Sequence, residues 1–342
     1  MINGIHAPFS KGRLFMWFAT RARIPGNSHL KNKLACQDFA ERYVGDDFLL
    51  CVVADGASIA PFGEIGASIA CESIKHFFEC TKMNEVYRLF GSYQLANEIK
   101  KCFDFFLNQK RTQIPYNTSK NDFSSTLAFV VVYNDQNFFI SGSIGDCCVN
   151  AFSGQKWETI NRLKNFGNTT RTFFITDNDA DMQFKINVGK LSDVHGFILT
   201  TDGCANGGLV FHNSIDSEIA YHIFNGIKKQ LHTEMWLETY ILQTFRKTTN
   251  DDLSIIVLYD DIICDSSSKR DNDRMKKKQK AEIKKRKKSE KTEQKSQKKD
   301  RYKNRRHFYI YLIVIILAIV FTIALTVNFC FLFHHISGRL LI

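Results

Sequence analysis

Apolar and polar positions along this chain follow two rhythms. Residues 48–54 form an unbroken apolar run with the length and β-branched content of a buried strand. The run 125–133 repeats that character, a polar turn follows at 134–137, and 137–144 reads as its hairpin partner. Between these strands the spacing turns helical. Phe62, Ile65, Ile69, Ile74, Phe77 and Phe78 recur at helical intervals and predict a helix over 62–80. Leu89, Phe90, Ile99, Phe103 and Phe106 predict a second helix over 86–107, and 113–121 is a polar loop. Further on, 173–175, 184–188 and 196–201 read as strands, 215–231 and 233–245 as helices, and 253–259 as a last strand. Paired strands, paired helices and then strands again predict an α+β layered sandwich in place of a doubly wound parallel sheet.

Four apolar runs have an aspartate at one end. Asp55 closes 48–54, Asp146 closes 138–145, Asp202 closes 197–201, and Asp251 stands just before 253–258. A carboxylate at a strand tip, beside a backbone carbonyl left open by Gly56, suits a hard divalent cation. Each aspartate alone also suits a turn or a helix cap. Four together predict that several strands deliver acids to one end of a sheet.

Charge changes the picture only after it is divided. The chain carries +11 overall, but residues 269–306 hold 20 Lys/Arg against 6 Asp/Glu, a net +14, so the remainder carries −3. A mildly acidic globular part makes nucleic acid an unlikely partner and suits a cation site. Ten cysteines, mostly inside apolar runs and without paired C-x-x-C spacing, read as buried free thiols in a reducing compartment. No export signal stands at the start of the sequence.

Phe308 to Phe333 is an uncharged run of 26 residues, about 39 Å long as helix at about 1.5 Å per residue. Such a run, flanked by Tyr302, Tyr309 and Tyr311, predicts a transmembrane helix over 307–333 with a short non-cytoplasmic tail at 334–342. The Lys/Arg-rich linker at 263–306 then stays on the cytoplasmic side, where it meets anionic headgroups. The expected localisation is a single-pass C-terminal membrane anchor with the globular part facing the cytoplasm, preceded by an N-terminal extension over 1–19.

The order of short motifs is also informative. Cys36-Gln37-Asp38, Val53-Ala54-Asp55-Gly56, Ser124-Ser125-Thr126, Gly145-Asp146, Leu199-Thr200-Thr201-Asp202-Gly203 and Asn250-Asp251-Asp252-Leu253-Ser254 follow one another as in the type 2C metal-dependent serine/threonine protein phosphatases. The resemblance covers 20–262 and is strongest to the bacterial-style branch, through Gly26-Asn27-Ser28-His29 and the 168–174 segment. It implies a four-layer α-β-β-α sandwich of two antiparallel sheets flanked by helices. It also implies hydrolysis of phosphoserine and phosphothreonine in proteins by a water bridging two Mg or Mn ions.

By the same resemblance, Asp55 bridges the metals, the Gly56 carbonyl completes one ion, and Asp202 with Asp251 holds the other, with Asp252 as the alternative to Asp251. Asp38 acts through metal-bound water, and Asp122 stands near a third-metal carboxylate. Asp146 is read as structural support, because Cys147-Cys148 replace the residues usual after it. Lys33 takes the place of a phosphate-binding arginine and presents a point charge where guanidinium offers a two-pronged fit. His29 is a candidate proton donor or phosphate contact, and His76 is expected on a helix surface. The rival reading is a membrane-tethered pseudophosphatase that binds phosphoproteins without turnover.

Overall fold

The computed structural model describes residues 5–6, 17–89, 93–115, 117–154, 156–161, 172–211, 214–229 and 233–260, all within a unit spanning Met1–Ile262. The linker, the transmembrane helix and the tail expected at 263–342 lie outside the described residues. Among those described, no helix is long and apolar enough to cross a membrane.

Two antiparallel sheets carry the fold. Numbered in chain order, β3 (Asp38–Val44), β4 (Leu49–Asp55), β5 (Leu127–Tyr133), β6 (Phe138–Ile144) and β9 (Lys185–Lys190) form one, in that spatial order. The other runs β1 (Ile5–His6), β2 (Trp17–Ile24), β13 (Leu253–Asp260), β10 (Val194–Thr200), β7 (Cys148–Ser153) and β8 (Lys156–Asn161). A two-stranded pair, β11 (Val210–Phe211) and β12 (Ser214–Ile215), stands apart.

The apolar runs are continuous because the central strands bury both faces, and side chains alternate between them. On β4, Leu49, Cys51 and Val53 join Phe197 and Leu199 of β10 and Ile256 and Leu258 of β13 in a core between the sheets. Leu50, Val52 and Ala54 face the other way, onto Ile74 and Phe78 of α2 (Gly63–Cys80), with α3 (Met83–Leu89) and α4 (Tyr93–Thr112) completing that layer. On β13, Leu253, Ile255 and Val257 face Ile223 and Ile227 of α7 (Ser217–Lys229) and Leu237 and Ile241 of α8 (Glu234–Phe245). Helices thus cover the outer face of each sheet, as expected. The short helices are α1 (Asn27–Asn32), α5 (Ala180–Gln183) and α6 (Asp202–Cys204).

Several boundaries differ from the sequence reading. The helix expected over 86–107 is two helices, α3 and α4. Residues 173–175 make a turn: the Phe174 N–H donates to an Asp177 carboxylate oxygen, and the Asp177 N–H donates to the Phe174 carbonyl. The helix expected from 215 begins at Ser217, because Ile215 pairs in β12 and the Asp216 carboxylate caps the Glu218 and Ile219 N–H groups. β2, β3, β7 and β8 were not anticipated, and β2 starts at Trp17, inside the stretch read as an extension. Polar positions such as Arg21 and Arg23 interrupt the apolar rhythm of β2, and their guanidinium groups bond the Ala40 and Cys36 carbonyls.

Candidate metal and phosphate site

Antiparallel pairing brings five aspartates to one end of the sandwich. Asp38 opens β3 and Asp55 closes β4, and the two are direct register partners. Thr200 at the end of β10 pairs with Ile255 near the start of β13, so Asp202 and the Asp251-Asp252 pair leave the second sheet together. The Thr201 hydroxyl crosses from β10 to the other sheet and donates to Asp38 Oδ2 at 2.7 Å, tying the two acidic edges. Asp146 enters from the turn between β6 and β7, after Gly145 at φ 89°. A side chain at Gly145 would stand 2.5 Å from the Thr126 methyl, and Thr126 N–H in turn donates to the Asp55 carbonyl at 2.9 Å.

These acids act on one another. Burial raises the proton affinity of Asp55, and Asp38, Asp202, Asp146 and Asp251 raise it further. Burial and then Asp146, Asp251 and Asp38 do the same for Asp202. Asp38 is held up chiefly by burial, opposed by the Thr201 hydroxyl. For Asp251 burial is again the first cause, opposed by the Asp252 N–H and the nearby His29. Asp146 Oδ2 accepts the Thr172 hydroxyl at 3.2 Å, while its Oδ1 is buried without a hydrogen-bond partner among the described residues. An orphaned buried carboxylate oxygen among like charges is costly unless a cation or donor meets it. Oxygen donors of this kind suit a hard divalent cation such as Mg or Mn, and the donor chemistry therefore fits the ions the resemblance implies. As the side chains stand, no three His, Cys, Asp or Glu among the described residues form a group that could hold a metal ion.

Asp252 has a different part. It is buried, and its carboxylate accepts the Gly26 N–H at 2.5 Å, the Gln37 N–H at 2.6 Å and His29 Nδ1 at 2.8 and 2.9 Å. Those donors occupy its lone pairs, so it holds α1 and the His29 ring, while its neighbour Asp251 is exposed. Gly56 bridges to Ser125 and donates its N–H to the Gln37 carbonyl at 3.1 Å. A Cβ there would lie 2.3 Å from the Gly63 backbone at the start of α2. Gly203 is packed as closely, with its Cβ direction 1.8 Å from the Asp252 carbonyl.

Three other sequence candidates are placed as follows. Asp122 accepts the Ser119 N–H at 2.8 Å and the Ser119 hydroxyl at 3.0 Å, closing a capping box on the single turn Lys120–Phe123. In this structure that engagement is what its carboxylate oxygens do. Lys33 is the exposed left-handed C-cap of α1, at φ 55°. His76 lies on the exposed face of α2 against Phe106, as expected. Asp146, read from the sequence as structural support, stands among these acids, as the shared strand-tip pattern anticipates.

The sequence model described as Protein phosphatase 2C matches residues 25–242. Solved structures share the fold. A bacterial serine phosphatase is 16% identical, at TM-score 0.50 over 70% of this chain and 96% of that one. The serine/threonine phosphatase Stp1 from Staphylococcus aureus is 14% identical, at TM-score 0.50 over 70% and 94%. The S. agalactiae serine/threonine phosphatase is 12% identical, at TM-score 0.50 over 71% and 99%. Comparison with curated protein sequences gave no significant match.

Proposed function

The chain belongs to the protein phosphatase 2C family, a family of protein serine/threonine phosphatases, and from that premise we propose a metal-dependent hydrolysis of phosphoserine and phosphothreonine in proteins. The observation that carries the proposal is the set of acids Asp38, Asp55, Asp146, Asp202 and Asp251, drawn from separate segments and close enough that the other four raise the proton affinity of Asp55. Two Mg or Mn ions would be held by Asp55, Asp202, Asp251 and the Gly56 carbonyl, with Asp38 and Asp146 beside them. Bound there, the ions supply a water nucleophile at neutral pH and positive charge against the phosphoryl oxygens. Asp122 is left out of this set because its carboxylate closes a turn.

The remaining work belongs to the chain's own groups. Thr201 fixes the Asp38 carboxylate by its hydroxyl. Asp252 takes the Nδ1 side of His29, which fixes the ring and leaves Nε2 as the position that would carry the donated proton. As the bond from phosphorus to the seryl or threonyl oxygen breaks, His29 Nε2 delivers its proton to that oxygen. Exposed Lys31 and Lys33 on and beside α1 add positive charge for the incoming phosphate.

The test is phosphate release by the full-length protein in detergent from phosphoserine and phosphothreonine peptides. Release is expected with Mn or Mg and is expected to stop with a chelator; chelator-resistant turnover would exclude the mechanism. Peptide binding without release would instead support the pseudophosphatase reading.

We also propose that 307–333 anchors the enzyme in a membrane, with the catalytic unit cytoplasmic. The support is the uncharged run Phe308 to Phe333 and the +14 segment before it. The protein is expected to stay in the membrane pellet through alkaline carbonate extraction, with its catalytic unit open to added protease in intact cytoplasm-out vesicles. Release by carbonate would remove the anchor.

A further inference from the structure

Three large apolar side chains stand in water beside the acids: Leu30 is 55% exposed, Leu34 57% and Ile59 88%. Single apolar residues on a surface need no explanation, but these three are distinguished by what holds them. Ile59 lies in the turn between β4 and α2, four residues after Asp55. That turn is pinned on both sides of it: Ala57 N–H donates to the Ser124 carbonyl at 2.9 Å, Ala60 N–H to the Ala57 carbonyl at 2.8 Å, and Phe62 N–H to the Asp122 carbonyl at 2.8 Å. Its exposure is therefore built into the backbone.

Leu30 lies on α1 and Leu34 just past its end, and α1 buries none of its residues. A six-residue helix without a packed face gains little from its own hydrogen bonds. Polar ties fix it at the acids: the Ser28 N–H and hydroxyl reach the Asn250 carbonyl at 3.1 and 2.8 Å, and His29 meets Asp252 at 2.8 Å. The Gln37 carbonyl joins this segment to the other through the Gly56 N–H at 3.1 Å. Leu34 and Ile59 are each three residues from that bond, about 10 Å of extended chain at most.

We infer that the α1 segment and the turn carrying Ile59 form an apolar lip that reads the residues flanking the phosphorylated one. The preferred substrates are then phosphoproteins whose phosphoserine or phosphothreonine sits among large aliphatic or aromatic side chains. This rests on the phosphatase reading above. A phosphate seated at the acids makes the substrate chain cross this rim, and an extended segment advances about 3.3 Å per residue, so three positions on either side reach the lip's distance. Side chains there would take Leu30, Leu34 and Ile59 out of water with their own apolar surface.

The experiment uses the full-length protein in detergent with Mn and two phosphothreonine peptides that differ only in their flanks, Leu/Ile or Gly/Ser. p-Nitrophenyl phosphate serves as the substrate without flanks, and phosphonate versions of both peptides report binding by anisotropy. The apolar peptide is expected to show KM and Kd about tenfold lower. Leu30→Ser/Leu34→Ser/Ile59→Ser is expected to erase that difference with p-nitrophenyl phosphate turnover unchanged. Ile59→Ser alone, at a side chain the fold does not bury, is expected to shrink it. Equal binding of the two peptides by the wild type, or a preference that survives both variants, overturns the lip. A binding preference without turnover of any substrate upholds the lip and rejects the phosphatase reading.

Discussion

Asp55→Asn is expected to lower metal-dependent turnover by on the order of 10³-fold while raising the melting temperature of the metal-free protein. The two effects have one cause. Asp55 is buried beside Asp38, Asp202, Asp146 and Asp251, all of which push its proton affinity up. An amide in its place keeps the shape and removes an acid whose ionisation the metal-free fold opposes. The same change removes an anionic oxygen from the centre of the proposed ligand set. Phosphate release and a thermal melt in chelator measure both sides, and a variant that loses activity and stability together would show that Asp55 is structural. Activity and stability opposing each other is the usual relation where like charges are concentrated for function.

The second large effect is on stability against pH. Burial, with the neighbouring acids, pushes Asp38 up to about 7 and Asp202 up to about 8, from the ordinary 3.8. Below about pH 4 these acids are protonated whether the chain is folded or not, and they cost nothing. As pH rises towards 8 the unfolded chain sheds protons that the folded chain retains, so metal-free stability falls across that window and levels off above it. Each tenfold gap in proton affinity is about 1.4 kcal/mol, and each of these two acids exceeds one such step, so the melting temperature is expected to fall by at least about 5 °C. Saturating Mn or Mg reverses the slope's sign, because cations bind the ionised acids and stabilise the fold by mass action. Melts from pH 5 to 9 with chelator and with Mn measure it. A metal-free melting temperature that rises with pH would contradict the clustering.

The structure shows why some of the chain was legible in one dimension. β4, β5, β10 and β13 are apolar on both faces because they lie between helices and a second sheet, so they stand out in any window. β2 and β3 did not, since Arg21, Arg23, Glu41 and Arg42 occupy them and find partners across space: Arg42 reaches Glu234 of α8 at 2.7 Å. The turn at 173–175 was mistaken for a strand because burial of Ile175 against the helical layer gives the same apolar signal.

The acids divide in the same way. Their residue types, their strand-tip positions and the motif order are properties of the sequence, and they were enough to point to the family and to single out Asp38, Asp55, Asp202 and Asp251 as candidates. The choice between Asp251 and Asp252 was not, because adjacent residues in an extended chain point in opposite directions and only the fold says which meets Gly26, Gln37 and His29. Asp122 and Asp146 differ for the same reason, one bonded to Ser119 and the other left with a bare oxygen. Local pattern along the chain determines where a charged side chain is placed on its strand or turn. Whether that charge is neutralised, repelled or left waiting for a cation depends on partners up to 226 residues away, and those are decided only when the sheets close.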